Sequence, residues 1–166
     1  ELAYKPDLEA VADRWEPFWR GESRRPLISA VIPKAGKVPA EKPGYASGVD
    51  GNFRPVIEQL LRWAETHEFL AEAIPFCYLE FAADHFAALL GADLIFRDNE
   101  PGGWAVPFVQ DLDGAEIRFQ TEGKWWQRTV EFALALREQC DGAVMVAAPT
   151  LVANLDALAA IHGAQN

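Results

Sequence analysis

The sequence predicts an α/β fold in which parallel strands are covered by helices. Two short apolar runs carry the prediction, residues 27–32 (LISAVI) and 143–148 (AVMVAA), each followed by a loop and then a helix-patterned segment. Runs rich in β-branched residues and lacking polar alternation suit strands buried on both faces, as parallel sheets require. Strand, loop and helix in repeated succession imply crossover connections.

The elements follow in order. Pro6 and Asp7 offer a helix start, and Leu8, Val11, Ala12, Trp15 and Trp19 recur at helical spacing until Gly21, Glu22 and Ser23 break the pattern. The first strand, 27–32, ends at Pro33. Residues 33–52 form a long loop rich in Pro and Gly, and loops beyond about 12 residues in compact domains are often functional. Phe53, Ile57, Leu60, Leu61 and Ala64 set one face of a helix predicted over 53–73. A further helix is expected over 79–90, stopped by Gly91. Residues 93–96 (DLIF) read as a strand, and 99–103 (NEPGG) as a turn. Residues 105–109 and 115–119 read as a β-hairpin turning at Asp113 and Gly114. A helix over 123–140 is marked by Trp126, Val130, Phe132, Ala133, Leu134 and Leu136. The strand at 143–148 precedes a short helix over 154–161, with Gly163 as its stop.

Composition bounds the function. The 166 residues are half apolar, enough for a single domain over 1–166 and too few for two ordinary ones. A formal charge of −10, with no basic cluster beyond Arg24 and Arg25, argues against binding nucleic acid or an anionic membrane. No apolar run approaches the roughly 20 residues that span a bilayer, and the first residues lack a signal-peptide pattern. Cys77 and Cys140 read as two buried thiols of a cytoplasmic protein, with a disulfide as the alternative. Cys77, His85, Cys140 and His162 lack metal-type spacing, so no zinc site is expected. Phosphate loops, nucleophile elbows and paired catalytic His and Cys are also lacking.

Three stretches resemble one family. Residues 18–22 (FWRGE) leading into 25–37 (RPLISAVIPKAGK) are similar to the opening of uroporphyrinogen decarboxylase-like proteins, where a Gly-Glu segment precedes a Pro-started barrel strand and a Gln-Ala-Gly-Arg loop. Residues 95–98 (IFRD) resemble the family's Ile-Phe-Ser-Asp motif. Residues 140–149 (CDGAVMVAAP) running into 154–163 (NLDALAAIHG) resemble the strand and helix that carry a Leu-Asp-x-Leu-x-x-Leu-Arg-Gly signature.

The resemblance implies the N-terminal half of a (β/α)₈ barrel, with parallel strands and the hairpin as an insertion. It implies decarboxylase or methyltransferase chemistry on a small organic or tetrapyrrole-like substrate, without a cofactor. It also implies that 166 residues alone lack a complete active site. Whether the chain is itself an enzyme is left open. Asp98 falls where the family carboxylate holds pyrrole N–H groups at the barrel mouth, although Asp also caps turns. Lys37 replaces the second loop arginine and keeps its charge without the bidentate fork, while Pro33 replaces the first. An ordinary loop lysine is the alternative for Lys37. Trp104 is a candidate pocket wall near Asp98, or else hairpin-base packing. A half-barrel exposes a sheet edge, so a homo-oligomer is expected.

Two alternatives stand beside this reading. The chain is a catalytically inactive binding or assembly module with the same partial fold. Or it is an α+β domain without barrel ancestry, built on an antiparallel sheet around 93–119, with 27–32 and 143–148 not adjacent.

Overall fold

The computed structural model describes residues 2–97, 102–152 and 154–163. The chain forms two compact units, one from residues 1–43, 54–77 and 136–147, the other from 44–53, 78–135 and 148–166. The fold is mixed α/β, with short two-stranded sheets and no closed barrel among the described residues.

In the first unit, helix α1 (Leu8–Trp19) begins after Asp7 and buries Val11. Pro17 sits in its last turn. Gly21, at φ 71°, then closes the helix with its N–H on the Phe18 carbonyl. Strand β1 (Ser29–Pro33) follows. Helix α2 (Phe53–Thr66) buries Val56, Ile57, Leu60, Trp63 and Ala64, one continuous stripe at helical spacing.

The apolar pattern predicts that this helix runs to residue 73, but it stops at Thr66. The Thr66 hydroxyl donates to the carbonyls of Arg62 and Trp63, and the ring of His67 bonds the Trp63 carbonyl. The next residues form strand β2 (His67–Ala71), antiparallel to β1 in the register Ser29↔Ala71 to Pro33↔His67. Five cross-strand partners override the helix propensity of Glu68, Leu70 and Ala71. Strand β3 (Phe76–Tyr78) pairs in parallel with a later strand, Met145–Ala147, whose Met145 N–H bonds the Pro75 carbonyl.

In the second unit, helix α3 (His85–Leu89) is shorter than the predicted 79–90: residues 79–84 form bends and turns in which Glu80 accepts from the Thr150 N–H and Asp84 from the Ala105 N–H. Gly91, at φ 122°, stops it, and the Ala92 N–H returns to the Ala87 carbonyl. Strands β4 (Asp93–Phe96) and β5 (Gly103–Val106) make an antiparallel hairpin. Phe96 lies opposite Gly103, and a Cβ there would come within 2.5 Å of its ring. The expected hairpin is thus displaced. Its first strand pairs backward with β4, whereas 115–119 is not a strand, although Asp113 and Gly114 do form a turn. Helix α4 (Lys124–Gln139), strand β6 (Met145–Ala147) and helix α5 (Asn154–His162) complete the chain, both helices falling where the apolar spacing places them.

The predicted strands at 27–32 and 143–148 therefore exist but are not neighbours. β1 lies with β2, and β6 lies with β3. Nor are they buried on both faces: Val31, Ile32, Met145 and Val146 are exposed. A two-stranded sheet supplies each strand with one partner and leaves the other edge open, so apolar content alone does not decide a strand's surroundings. The antiparallel hairpin and the separated strands agree in both respects with the α+β alternative.

The core of the second unit has two parts. Ala87, Ala92, Val109, Ala160 and Ile161 cluster between hairpin and α5. Phe53, Phe81 and Phe132 meet ring to ring, with Phe53 and Phe132 stacked at 4.8 Å.

Candidate functional site

The three residues singled out from sequence are not assembled into a site by either unit. Asp98 lies outside the described residues. Lys37 belongs to the first unit and Trp104 to the second. The Lys37 ammonium meets the Glu65 carboxylate at 2.6 Å, and that contact lowers the Glu65 pKa. Both side chains are about half exposed, so the pair is worth little. Trp104 stands on β5 opposite Ile95, with 56% of its surface open to solvent. The long loop is anchored rather than free over its first part. Lys34 donates to the Glu65 carbonyl, the Ala40 N–H to the Thr66 hydroxyl, and Gln59 to the Glu41 carbonyl.

The strongest electrostatic feature of the first unit is Glu72, whose side chain is 1% exposed. Its Oε1 accepts from Arg14 Nε at 2.6 Å and Arg25 Nη2 at 2.7 Å. Its Oε2 accepts from the Ile28 N–H at 2.8 Å and Arg25 Nη1 at 3.3 Å. These donors, with Arg25 foremost, hold the carboxyl at about 2. The Lys5 ammonium is buried against the end of β2, donating to the carbonyls of Phe69 and Ala71 and facing Asp7 at 3.1 Å. Ala71, whose carbonyl takes one of these bonds, adopts φ 50°. With every lone pair engaged, Glu72 cannot act as a base. It ties α1, the segment before β1 and the end of β2 together.

The second unit holds His85, fully buried. Its Nε2 lies 3.0 Å from the Thr129 hydroxyl, which itself donates to the Trp125 carbonyl at 2.8 Å, so Nε2 carries the proton. Nδ1 then accepts from the Phe81 N–H at 3.4 Å. Burial lowers the His85 pKa to about 4. The ring is neutral at pH 7 with both nitrogens occupied, a structural crosslink between α3 and α4 and not a proton shuttle.

In the same unit an open cleft of about 390 Å³ lies at the first turn of α4. Gly91, Asp93, Phe108, Glu116, Lys124 and Trp125 are among its walls. The volume suits a small ligand. Two carboxylates against one ammonium make the walls net acidic. The Lys124 amine sits 4.4 Å from the centre of the Trp125 ring, and that ring also packs on Phe81 and Phe96. The Trp125 Nε1–H is buried without an acceptor. Leaving it unpaired costs about 1–3 kcal/mol, which two aromatic contacts at about 0.5–1.5 kcal/mol each offset in large part. Neither Lys37 nor Trp104 is among its walls.

Sequence reasoning passes over Glu72 and the Thr129 partner of His85. A signal for the first exists: Glu72 is the lone charge in FLAEAIPF, residues 69–76, and a lone acid in an apolar run needs cations. His85 bonds Thr129 across 44 residues, and no local pattern announces such a pair. Cys77 and Cys140 are buried and form no disulfide. Among the described residues no three His, Cys, Asp or Glu converge as a metal site, and no helix is long and apolar enough to cross a membrane. The chain matches no protein-family model, no curated protein and no solved structure.

Proposed function

We propose that the chain is the N-terminal part of a uroporphyrinogen decarboxylase-like protein, of decarboxylase or methyltransferase type, acting on a small organic or tetrapyrrole-like substrate. The observation that carries the reading is where the motifs fall. Residues 25–37 lie on β1 and the loop after it, residues 95 and 96 end β4, and residues 140–163 span β6 and α5. α/β barrels are built from parallel strands each followed by a helix, whereas β1 and β2 run antiparallel across α2, so the support lies in the motifs themselves. Because β1 and β6 lie in different sheets, the barrel itself rests on these motifs and not on strand order.

In this reading Asp98 stabilises positive charge on the substrate, and Lys37 and Trp104 are candidate substrate contacts by the resemblance alone. The assay is carbon dioxide release from a tetrapyrrole carboxylate, or methyl transfer from a corrinoid, by the chain together with the polypeptide that completes it. Asp98→Asn is expected to lower turnover at least about tenfold, in keeping with lost electrostatic stabilisation. Absence of both activities in the assembled protein, or an unaffected Asp98→Asn variant, overturns the reading.

One observation favours the second reading, a non-catalytic assembly module. Ile28, Val31, Ile32 and Leu70 are 57%, 42%, 41% and 41% exposed on or beside the β1–β2 sheet. Exposed apolar strands beside an open edge promote strand pairing between chains. Light scattering after size exclusion discriminates: an oligomer of the chain alone, dispersed by Val31→Lys, supports assembly through this sheet. A monomer at high concentration removes it.

A further inference from the structure

Strand β1 has two edges, and β2 takes only one of them. The Glu72 N–H donates to the Ile28 carbonyl at 2.8 Å and the Lys34 N–H to the Thr66 carbonyl at 2.9 Å, one bond at each end of the β1–β2 ladder. Hydrogen-bonded pairs alternate along an antiparallel ladder, so Ala30 and Ile32 turn their backbone groups toward β2. Ser29, Val31 and Pro33 turn theirs the other way. Lys5 agrees with this alternation from the far side of β2. Its ammonium, almost wholly buried, takes the carbonyls of Phe69 and Ala71 at 2.8 and 2.9 Å, two that point away from β1. The outer edge of β2 is thus closed by a lysine. That of β1 is open: among the described residues no hydrogen bond reaches the Ser29 or Val31 backbone from that side, and every residue of the strand but Ala30 is exposed.

The open edge lacks the usual protection. Edge strands of monomers carry a charge, a bulge or a cover, and residues 26–33 hold no charged side chain. The backbone groups on offer are the N–H and carbonyl of Ser29, the same pair on Val31, and the carbonyl alone of Pro33, which has no N–H. A second copy of β1, reversed, matches this array. Setting Val31 against the partner's Val31 overlaps all of Ser29–Pro33 and exchanges two bonds between the valines. Each Ser29 N–H then meets the partner's Pro33 carbonyl. Every outward donor is satisfied, and the missing N–H falls at the end of the strand where it interrupts nothing. Val31 packs beside the partner's Val31 on one face, and Ala30 beside the partner's Ile32 on the other, with no like charges opposed.

We propose that two copies of the chain pair β1 against β1 about a two-fold axis at Val31, joining two two-stranded sheets into one of four strands. The proposal rests on the assembly reading above, and adds to it the partner, the edge and the register. A two-stranded sheet is marginal in water, and a four-stranded one is not, so each sheet gains from the union. The contact is isologous, the same groups serving on both sides, and therefore closes at a dimer. With Lys5 holding the far edge of β2 in each copy, no further strand is added by that route.

The test uses the whole chain, with light scattering after size exclusion and disulfide crosslinking. The chain is expected to run as a dimer. Val31→Pro removes an N–H that points away from β2, so the circular dichroism spectrum should be kept while dimer affinity falls about tenfold or more. Under mild oxidation Val31→Cys should crosslink to itself, since opposed residues lie about 5.5 Å apart. Ser29→Cys alone should not, its two copies lying about 15 Å apart, yet it should crosslink when mixed with Pro33→Cys. Where Val31→Pro fails to fold, the crosslinks decide. A monomer overturns this proposal and the assembly reading together. An oligomer that withstands Val31→Pro, or that shows no crosslink through residue 31, overturns the edge pairing alone and leaves assembly to the exposed faces of the sheet.

Discussion

His85 makes the acid stability of this protein readable. In the fold its pKa is about 4, against 6.5 for a free imidazole. Protonation would place a hydrogen on Nδ1, facing the Phe81 N–H that Nδ1 now accepts, inside a site with no exposed surface. The folded-state value is depressed, so the unfolded chain takes up the proton first. The neutral ring's contribution is therefore complete above pH 6.5. It falls away between 6.5 and about 4, and is constant below that. Each pH unit in that window removes about 1.4 kcal/mol, roughly 3 kcal/mol across it. The carboxyl of Glu72, lowered from 4.5 to about 2, acts only below 4.5, so the two windows scarcely overlap. Equilibrium urea unfolding, followed by tryptophan fluorescence from about pH 7.5 to about pH 5, measures the slope. The wild type should lose about 2 kcal/mol over this interval, and His85→Gln, which cannot titrate, should lose little. Matching slopes in the two proteins would refute the assignment of a buried, neutral His85.

Other perturbations test other parts of the structure. Glu72→Gln keeps the shape but strips the charge that Arg14 and Arg25 share, and should lower the urea midpoint at neutral pH. Because the Glu72 pKa is depressed, its contribution is full above 4.5 and fades toward 2. Acid titration followed by circular dichroism should accordingly be flatter below pH 4.5 in the variant. Leu60→Ala, at a fully buried position on α2, should cost about 2–5 kcal/mol in chemical denaturation. Ala71→Gly releases a left-handed residue, which costs about 1–2 kcal/mol in an L-amino acid. Set against about 0.5–1 kcal/mol of glycine entropy, the variant should be slightly more stable by thermal unfolding. Gly103→Ala pushes a methyl group into the Phe96 ring and should destabilise the β4–β5 hairpin, read as faster amide exchange across it.

Much of the helical framework is legible because amphipathic helices print their period on the chain. The stripe from Val56 to Ala64 marks α2, though not where it ends, and the pattern of α4 fixes that helix almost to both ends. Strand partners are not legible. The segment 27–32 specifies that it will be extended, but its partner, 67–71, carries a mixed sequence and follows a helix without a Gly or Pro to punctuate it. The apolar pattern marks a strand near 105 and assigns it the wrong partner. Asp113 and Gly114 signal a turn equally well whether or not strands flank it. Of the candidate site, Lys37 and Trp104 stand out as loop and strand residues, but a sequence holds no distance between them. The Glu72 hub depends on donors gathered from remote positions.

The two apolar strands also bear on what the chain does. Apolar, β-branched runs predict burial on both faces, and in the structure Val31, Ile32, Met145 and Val146 face solvent. Two-stranded sheets are marginal by themselves, and four exposed apolar side chains on such strands gain nothing from water. Polar residues would serve an exposed strand better, as they do on α2, where Arg54, Glu58 and Arg62 are open to solvent, whereas α1, α4 and α5 also expose apolar side chains, Trp19, Leu134 and Leu155. In the reading proposed above, further polypeptide covers these exposed apolar strands. Amide exchange separates that case from simple exposure. Among the amides of β1 and β6 that lack a partner in the fold, those lying under a cover should become protected on assembly and stay unprotected in the isolated chain. If these amides exchange equally fast in both states, the apolar strands are exposed in the working protein and nothing covers them.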